Sequence, residues 1–386
     1  MKTTEETNDL LLAAEAARDE QLAFLRVLAP IPAPSRKEDR RVAFLLEKLP
    51  GLGIEGAYAD GAKNVIIPYG VEAGGDIVVI MAHTDVVFPD ETPLPYAEDE
   101  TTIRCPGIGD DTARLVQMLF ALRHFARRGA RPGVGALFVA NACEEGLGNL
   151  AGSRAICDAF GDRIRAFVSI DASSGHAVNR AVGSERHQVA VSTRGGHSWS
   201  DFGNRNAIAE AAALIRDLYG QKVPAVEGER TTYNVGLVSG GTSVNTIAER
   251  ASFLYEYRST SRECLATMRG EFGRIVDAHR AEGVAIEVEC VGERPCGGGV
   301  DPERQGALEA MADAANRAVF GAPLRFGAGS TDANIPLSRG IPALTVGSCV
   351  APGAHTREER LEQASLVPGL AFLLAFFQDL LDVRRP

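Results

Sequence analysis

The order of apolar runs predicts an α/β chain: a mostly parallel mixed sheet flanked by helices, with a βαββαβ domain inserted into it. Alternation is the first sign. "NVIIPY", "DIVVIMAH", "VGALFVANA" and "RAFVSID" are short, nearly continuous apolar runs, and "DTARLVQMLFALRHFARR" and "NLAGSRAICDAF" between them have helical spacing. Strands apolar on both faces belong to sheets covered by helices on both sides. The second sign is a change of pattern from about Glu185, which reverts after "GERPCGGGVD". The expected domains are therefore 1–184 and 296–386, forming one discontinuous unit, with 185–295 inserted between them. A length of 386 residues exceeds one ordinary core and agrees with two.

Each element follows in order. Helical patterns open the chain, roughly over 8–29 and 37–48, with Pro30, Pro32, Pro34 and Ser35 punctuating the gap. After the first strands and helices, "RHQVAVST" alternates like a half-exposed strand and "RNAIAEAAALIRDLYG" is helical. "TTYNVGLVSG" and "ASFLYEYRS" are strands, "CLATMRGEFGRIVDAHRAEG" a helix and "VAIEVECV" a strand. The helix "PERQGALEAMADAANRAVFG", the strand "PALTVGS" and a closing helix return the chain to the larger unit.

Composition narrows the function. The chain is 45% hydrophobic and 24% charged, as soluble globular proteins are. A formal net charge of -11 argues against a nucleic-acid partner. Its 7 cysteines are scattered without a CxxC pair, which fits a reducing compartment. The amino-terminal apolar stretch is broken by Glu15, Arg18 and Glu20, so it reads as an amphipathic helix instead of a signal peptide. No apolar run reaches membrane-spanning length, and a cytoplasmic protein without a membrane partner is expected.

Chemistry gathers where strands end, which is where such sheets bind ligands. In "MAHTDVV", His83 and Asp85 share a strand face, so an imidazole ligand has a carboxylate near its other nitrogen. In "CPGIGDDTARL", Gly107 and Gly109 loosen the approach to Asp110 and Asp111, beyond what one N-cap needs. Glu144 and Glu145 follow "VGALFVANA", Asp171 ends "RAFVSID", and His355 lies in the Gly/Pro-rich "GSCVAPGAHTREER". Two histidines and three carboxylates suit zinc better than magnesium or calcium. They are enough for two ions, each with one His and one terminal carboxylate, sharing a bridging carboxylate and a water. Adjacent Glu144 and Glu145 then divide the work: Glu145 is the ligand and Glu144 the general base.

At these residues the chain resembles the M20 family of dinuclear zinc peptidases and deacylases, in its peptidase T-like branch. The likeness takes in "HTD" at 83–85, "GIGDD" at 107–111, "CEEGLGNL" at 143–150, "SID" at 169–171 and "GAHTREE" at 353–359. It continues through the inserted domain in "RGGHSW" at 194–199, "GGTSVNTI" at 240–247 and "YEYRS" at 255–259. The resemblance implies two Zn2+, with Co2+ or Mn2+ as acceptable substitutes. Their ligands would be His83, Asp110, Glu145, Asp171 and His355, with Asp110 bridging and followed by a cis peptide. It makes Glu144 base and then acid, and Asp85 the residue that orients His83. In the inserted lid, His197 would stabilise the oxyanion, and Asn245 and Arg258 would hold a substrate carboxylate or backbone group. A homodimer through the lid is a family habit. "GSTDAN" at 329–334 resembles a substrate-pocket loop. Thr112 stands where relatives usually have Lys, which leaves the substrate class open.

The expected activity is hydrolysis of short peptides by an exopeptidase, through a metal-bridging water activated by Glu144. An N-acyl-amino-acid deacylase with the same amide chemistry is the alternative, and a metal-binding scaffold the non-enzymatic one. A serine or cysteine hydrolase is disfavoured: there is no GxSxG, and Cys143 reads as a buried strand-end residue. "GLGIEG" at 51–56 matches GxGxxG formally, but follows a helix and Pro50 instead of a strand.

Overall fold

A computed structural model describes residues 2–383. The chain forms two compact units, one joining the chain through Ala181 to that from Gly297 onward, the other Val182–Cys296.

The larger unit is built on an eight-stranded mixed sheet. Its strands lie in the order Tyr58–Ala59, Val65–Tyr69, Gly135–Asn141, Ile77–His83, Ile164–Ser173, Ala343–Cys349, His176–Ala181 and Arg325–Gly329. The four from Gly135–Asn141 to Ala343–Cys349 run parallel, and Val65–Tyr69 and His176–Ala181 pair antiparallel at their flanks. Every residue of Ile77–His83, Gly135–Asn141 and Ala343–Cys349 is buried. The reason is the two-residue period of a strand. Val78, Ile80 and Ala82 enter one core, packed with the helices Arg114–Arg127 and Leu366–Leu380, while Ile77, Val79 and Met81 enter another that includes Ile156 and Ile335. Both faces are thus dry, and strand ends are the places where polar side chains emerge.

Three points depart from the sequence reading. The first helix breaks at Ala17 into Thr4–Ala16 and Arg18–Leu28. The strands His176–Ala181 and Arg325–Gly329 extend the sheet although their runs carry no clear apolar signal. The segment Gln363–Leu380 does reach the length and apolarity of a membrane span, with mean hydropathy 1.3, yet 72% of it is buried. It is the core helix of the larger unit, and Phe372, Phe376 and Phe377 are wholly enclosed.

The smaller unit follows the expected βαββαβ order. Its antiparallel sheet runs Thr231–Gly240, Arg250–Ser259, Gly183–Ser192, Ala285–Arg294, and the helices Ala207–Tyr219 and Arg262–Ala278 cover one face. Val189, Val191, Phe253, Tyr255 and Tyr257 point to those helices, against Leu214 and Phe272. On this face Glu185 is buried and meets the Tyr257 hydroxyl and the Arg269 guanidinium, whose Nε donates at 2.8 Å. Burial alone would raise the Glu185 carboxyl, but hydrogen bonds from His187, Arg269 and Tyr257 outweigh it and hold the group at about 2.

A depressed folded-state pKa stabilises the fold above the ordinary carboxylate range, and that stability disappears as pH falls from there toward the folded value. Thermal unfolding should therefore show the smaller unit losing about 2 kcal/mol between roughly pH 5 and 2. Glu185→Gln should be less stable than the parent at neutral pH and should flatten this acid limb.

Candidate metal centre

The putting together of the site begins with Asp85, at the end of strand Ile77–His83. Its Oδ1 accepts the Glu144 backbone N–H at 3.0 Å, and its Oδ2 accepts the Glu145 N–H at 2.9 Å and the Ser35 hydroxyl at 2.6 Å. One carboxylate therefore fixes the backbone carrying both glutamates. Glu38 does the same one residue earlier, accepting the Cys143 N–H at 3.1 Å. This supports Cys143 at a positive φ of 62°, the turn that brings Glu144 and Glu145 off the strand. His83 Nδ1 faces the Asp85 main-chain oxygen at 3.0 Å, with the Asp85 carboxylate further off at 3.5 Å. The ring is thus oriented mainly by the backbone carbonyl of Asp85, which leaves Nε2 turned to the site.

Asp110 stands at the middle. Its Oδ1 is 3.0 Å from His83 Nε2 and its Oδ2 is 3.2 Å from His355 Nε2. The loop leading to it is shaped by glycine: Gly107 has a φ of 75°, and a Cβ on Gly109 would fall 2.0 Å from the Ala351 Cβ. Glu359 locks this loop, accepting the N–H groups of Gly107, Gly109 and Asp110 at 2.7, 2.9 and 2.8 Å. The Asp110–Asp111 peptide is cis, as the family resemblance implied. Asp111 turns inward, accepts the His83 N–H at 3.0 Å, and pairs with Arg114 at 3.1 Å.

His355 reaches the cluster from a tight turn closed by the Thr356 N–H on the Gly353 oxygen at 3.0 Å. Its Nε2 lies 3.2 Å from Glu145 Oε1 as well as from Asp110. Ligand atoms of His83, Asp110 and Glu145 all lie within 4.8 Å of one another, and so do those of His83, Asp111 and Asp171. Among the described residues, the larger unit thus gathers all five residues singled out as ligands, with Glu144 on the same loop.

This donor set fits divalent ions. Glu145 Oε1 is buried, and the His355 nitrogen that faces it at 3.2 Å is shared with Asp110. A single ring nitrogen aimed at two carboxylate oxygens is poor hydrogen bonding and good ligation. The electrostatics agree. Hydrogen bonds to Asp110 and Glu145 push His355 up to about 10, and burial followed by the charge of Asp110 pushes Asp171 well above its usual range. Burial lifts Asp111 to about 7. The pocket gathers more carboxylates than its two imidazoles and the Arg114 guanidinium, a donor set that suits divalent cations.

The other candidate residues belong to the smaller unit. His197 pairs with Thr246 in a two-stranded ladder, beside Asn245, whose main-chain oxygen accepts the Ser198 N–H at 3.0 Å. His197 Nδ1 accepts from the Trp199 N–H at 3.1 Å, which leaves the ring proton on Nε2. Asn245 Oδ1 accepts from Ser243, and Arg258 makes a two-pronged contact with Glu256 at 3.0 and 3.1 Å.

Glu359, Ser35 and Arg41 carry no functional signal in the sequence, and Thr112 and Asp332 have partners that spacing does not show. Glu359 lies within the quoted "GAHTREE" but does its work through backbone amides, which spacing does not reveal. Ser35 sits in a stretch read only as punctuation. Thr112 accepts from Arg41 Nη1 at 3.0 Å, so a fully buried guanidinium from a distant helix reaches the loop just after Asp110 and Asp111. Asp332, in the "GSTDAN" loop, is wholly buried and accepts from Asn141 at 2.7 Å; burial, then the charge of Glu144, raises it.

Comparison with known proteins agrees with this geometry. The model of peptidase family M20/M25/M40 matches residues 79–379. A tripeptidase from Staphylococcus aureus subsp. aureus Mu50 superposes with a TM-score of 0.76 at 22% identity, covering 95% of this chain and 99% of that one. The di-peptidase Dug1p from Saccharomyces cerevisiae gives 0.77 at 14% identity, covering 97% and 98%. A "[LysW]-lysine/[LysW]-ornithine hydrolase" described as such in Pyrococcus abyssi (strain GE5 / Orsay) is 35% identical over 109 residues, 28% of this chain. The chain spans 30% of that relative's length.

Glu359→Gln replaces an acceptor of three amides by a group with one carbonyl oxygen and an amide that must turn away. It should loosen Asp110 and weaken metal binding about tenfold, measured by titration calorimetry of the chelator-stripped protein, while the far-ultraviolet circular dichroism stays the same.

Proposed function

Because the chain belongs to peptidase family M20/M25/M40 and is therefore a metal-dependent hydrolase, we propose that it is a dizinc exopeptidase acting on short peptides. The observation that carries this reading is the position of Asp110, with one oxygen toward His83 and the other toward His355. In it, His83, Asp110 and Asp171 would hold one ion, and His355, Glu145 and Asp110 would hold the other. Zinc suits the mixed nitrogen and oxygen donors, and Co2+ or Mn2+ fit the same set. When bound, the ions polarise the scissile carbonyl and make water a nucleophile near neutral pH.

The chain's own residues supply the rest. Glu144 takes the proton of the attacking water and returns it to the leaving amine, acting first as base and then as acid. Asp85 holds the Glu144 and Glu145 amides, so that base and ligand keep one spacing. His197, with its proton on Nε2, is the donor to the oxyanion, a role commonly worth about 3 kcal/mol. Asn245 and Arg258 bind a substrate carboxylate or backbone group, and Arg258 would then exchange Glu256 for the substrate. Tripeptidase and di-peptidase relatives of the same fold support peptides as the substrate class.

A second reading, hydrolysis of an acyl–amino-acid linkage, draws on the partial match to the [LysW]-lysine/[LysW]-ornithine hydrolase. The amide chemistry is common to both readings, and only the group carried on the acyl side differs. A cytoplasmic homodimer belongs to the same proposal. The outer strand Thr231–Gly240 has one edge without a neighbour in its sheet, and its Leu237 and Val238 are exposed.

Three measurements test this. Glu144→Gln should keep its metal content by elemental analysis yet lose about a thousandfold or more in turnover of di- and tripeptides; an active, zinc-loaded variant would overturn the assignment. Parallel assays on N-acetylated amino acids separate the peptidase from the deacylase. Sedimentation should give twice the 41.0 kDa chain mass, and Leu237→Lys should return the protein to that of the monomer.

A further inference from the structure

Asn141 and Asp332 form a buried pair that the mechanism above does not use. Asn141 ends strand Gly135–Asn141, opposite His83 in the register, and Asp332 lies in the "GSTDAN" loop. Both residues are 0% exposed. Asn141 Nδ2 donates to Asp332 Oδ2 at 2.7 Å. The other oxygen of each group, Asn141 Oδ1 and Asp332 Oδ1, is buried and meets no donor among the described residues. Two orphaned acceptors within one hydrogen-bonded pair call for an explanation. An ionised Asp332 relieves neither, because a carboxylate has no proton to give. One added proton relieves both. A carboxylic acid and a primary amide close a ring of two antiparallel hydrogen bonds, the amide N–H on one carboxyl oxygen and the acid O–H on the amide oxygen.

The surroundings favour that proton. The charged groups facing Asp332 are Glu144, His83 and Asp85, and it also faces the Cys157 thiol. Burial and then the negative charge of Glu144 raise the Asp332 carboxyl well above its usual range, against the opposing imidazole of His83. The pair also sits where it can set geometry. The Asn141 main-chain oxygen accepts the N–H and the hydroxyl of Thr84 at 2.7 and 2.8 Å, between His83 and Asp85, and Glu144 follows Asn141 by three residues. From the other side, the Ser153 hydroxyl donates to the Asp332 main-chain oxygen at 2.8 Å. We propose that Asp332 is a neutral carboxylic acid, a positioning residue that locks Asn141 by two hydrogen bonds and places no charge beside the general base Glu144. An ionised Asp332 would oppose the ionisation of Glu144 and keep it protonated to higher pH, whereas the neutral acid leaves Glu144 free to act as a base near neutrality. The inference rests on Glu144 as the base and adds the group that fixes the end of its strand.

The test uses the full-length, metal-loaded protein. Infrared difference spectra of the parent against Asp332→Asn at neutral pH should carry the carbonyl stretch of an un-ionised carboxylic acid, lost in the variant. Carboxylate bands in its place overturn the proposal, whether a water or an ion then completes the pair. Kinetics check the positioning. Asp332→Leu, which can make neither bond, should keep its metal but lose about tenfold or more in kcat. Asp332→Asn, whose amide can make both bonds, should recover most of that loss, with the acid limb of kcat/KM where the parent has it. Full turnover in Asp332→Leu, no recovery in Asp332→Asn, or an acid limb moved down by about one pH unit or more in Asp332→Asn, overturns it. Should the leucine variant fail to fold by circular dichroism, the infrared spectra and the acid limb of Asp332→Asn decide. The infrared result needs no turnover. If no peptide is cleaved, the peptidase reading fails, and the spectra still show whether Asp332 holds its proton.

Discussion

Carboxylates crowded out of water repel one another, and the centre of this enzyme is organised around offsetting that repulsion. Asp110, Asp111, Glu145 and Asp171 converge at the ends of strands whose flanks are dry, where a negative charge has little solvent to spread into. The chain answers with two imidazoles and one guanidinium, and family membership says that metal supplies the rest. Seen this way, the sheet is a device for concentrating one sign of charge. The two cores on its faces exclude water, and the strand termini deliver acids to a common point.

A second requirement is that these acids hold still. The protein meets it through the backbone more than through side-chain pairs. Asp85 grips two consecutive amides and Glu359 grips three, so the loops bearing Glu145 and Asp110 are tied down at their peptide groups. Such bonds are charge-assisted and directional, and they leave the ligand carboxylates uncommitted. Arg41 serves the same end for the loop at Thr112, with further bonds to the Thr84, Ile31 and Ala29 carbonyl oxygens.

The fold and the acidic strand ends were legible because each rests on a local signal. Doubly apolar runs such as "DIVVIMAH" announce a strand covered on both sides, and the βαββαβ order is written in successive runs. His83, Asp110, Glu145, Asp171 and His355 stood out by falling at strand ends, at a helix start or in a Gly/Pro-rich loop, and by a series of motifs in a familiar order. What escaped was non-local or carried by the main chain. Nothing around Glu359 foretells three amides from a loop some 250 residues earlier, as their separations of 252, 250 and 249 show. The strand His176–Ala181 was missed because one side of it is polar. The helix Leu366–Leu380 was underrated because its length emerges only when the preceding turn is joined to it.

The interruption of the larger unit by Val182–Cys296 has a consequence for synthesis on the ribosome. Strand Ala343–Cys349, which completes the parallel core, and the turn bearing His355 and Glu359 emerge only after the whole insertion has been made. Until then the nascent chain carries four of the five proposed ligands but neither the clamp on Asp110 nor the last imidazole. The cluster is thereby completed only when the last part of the chain has been made.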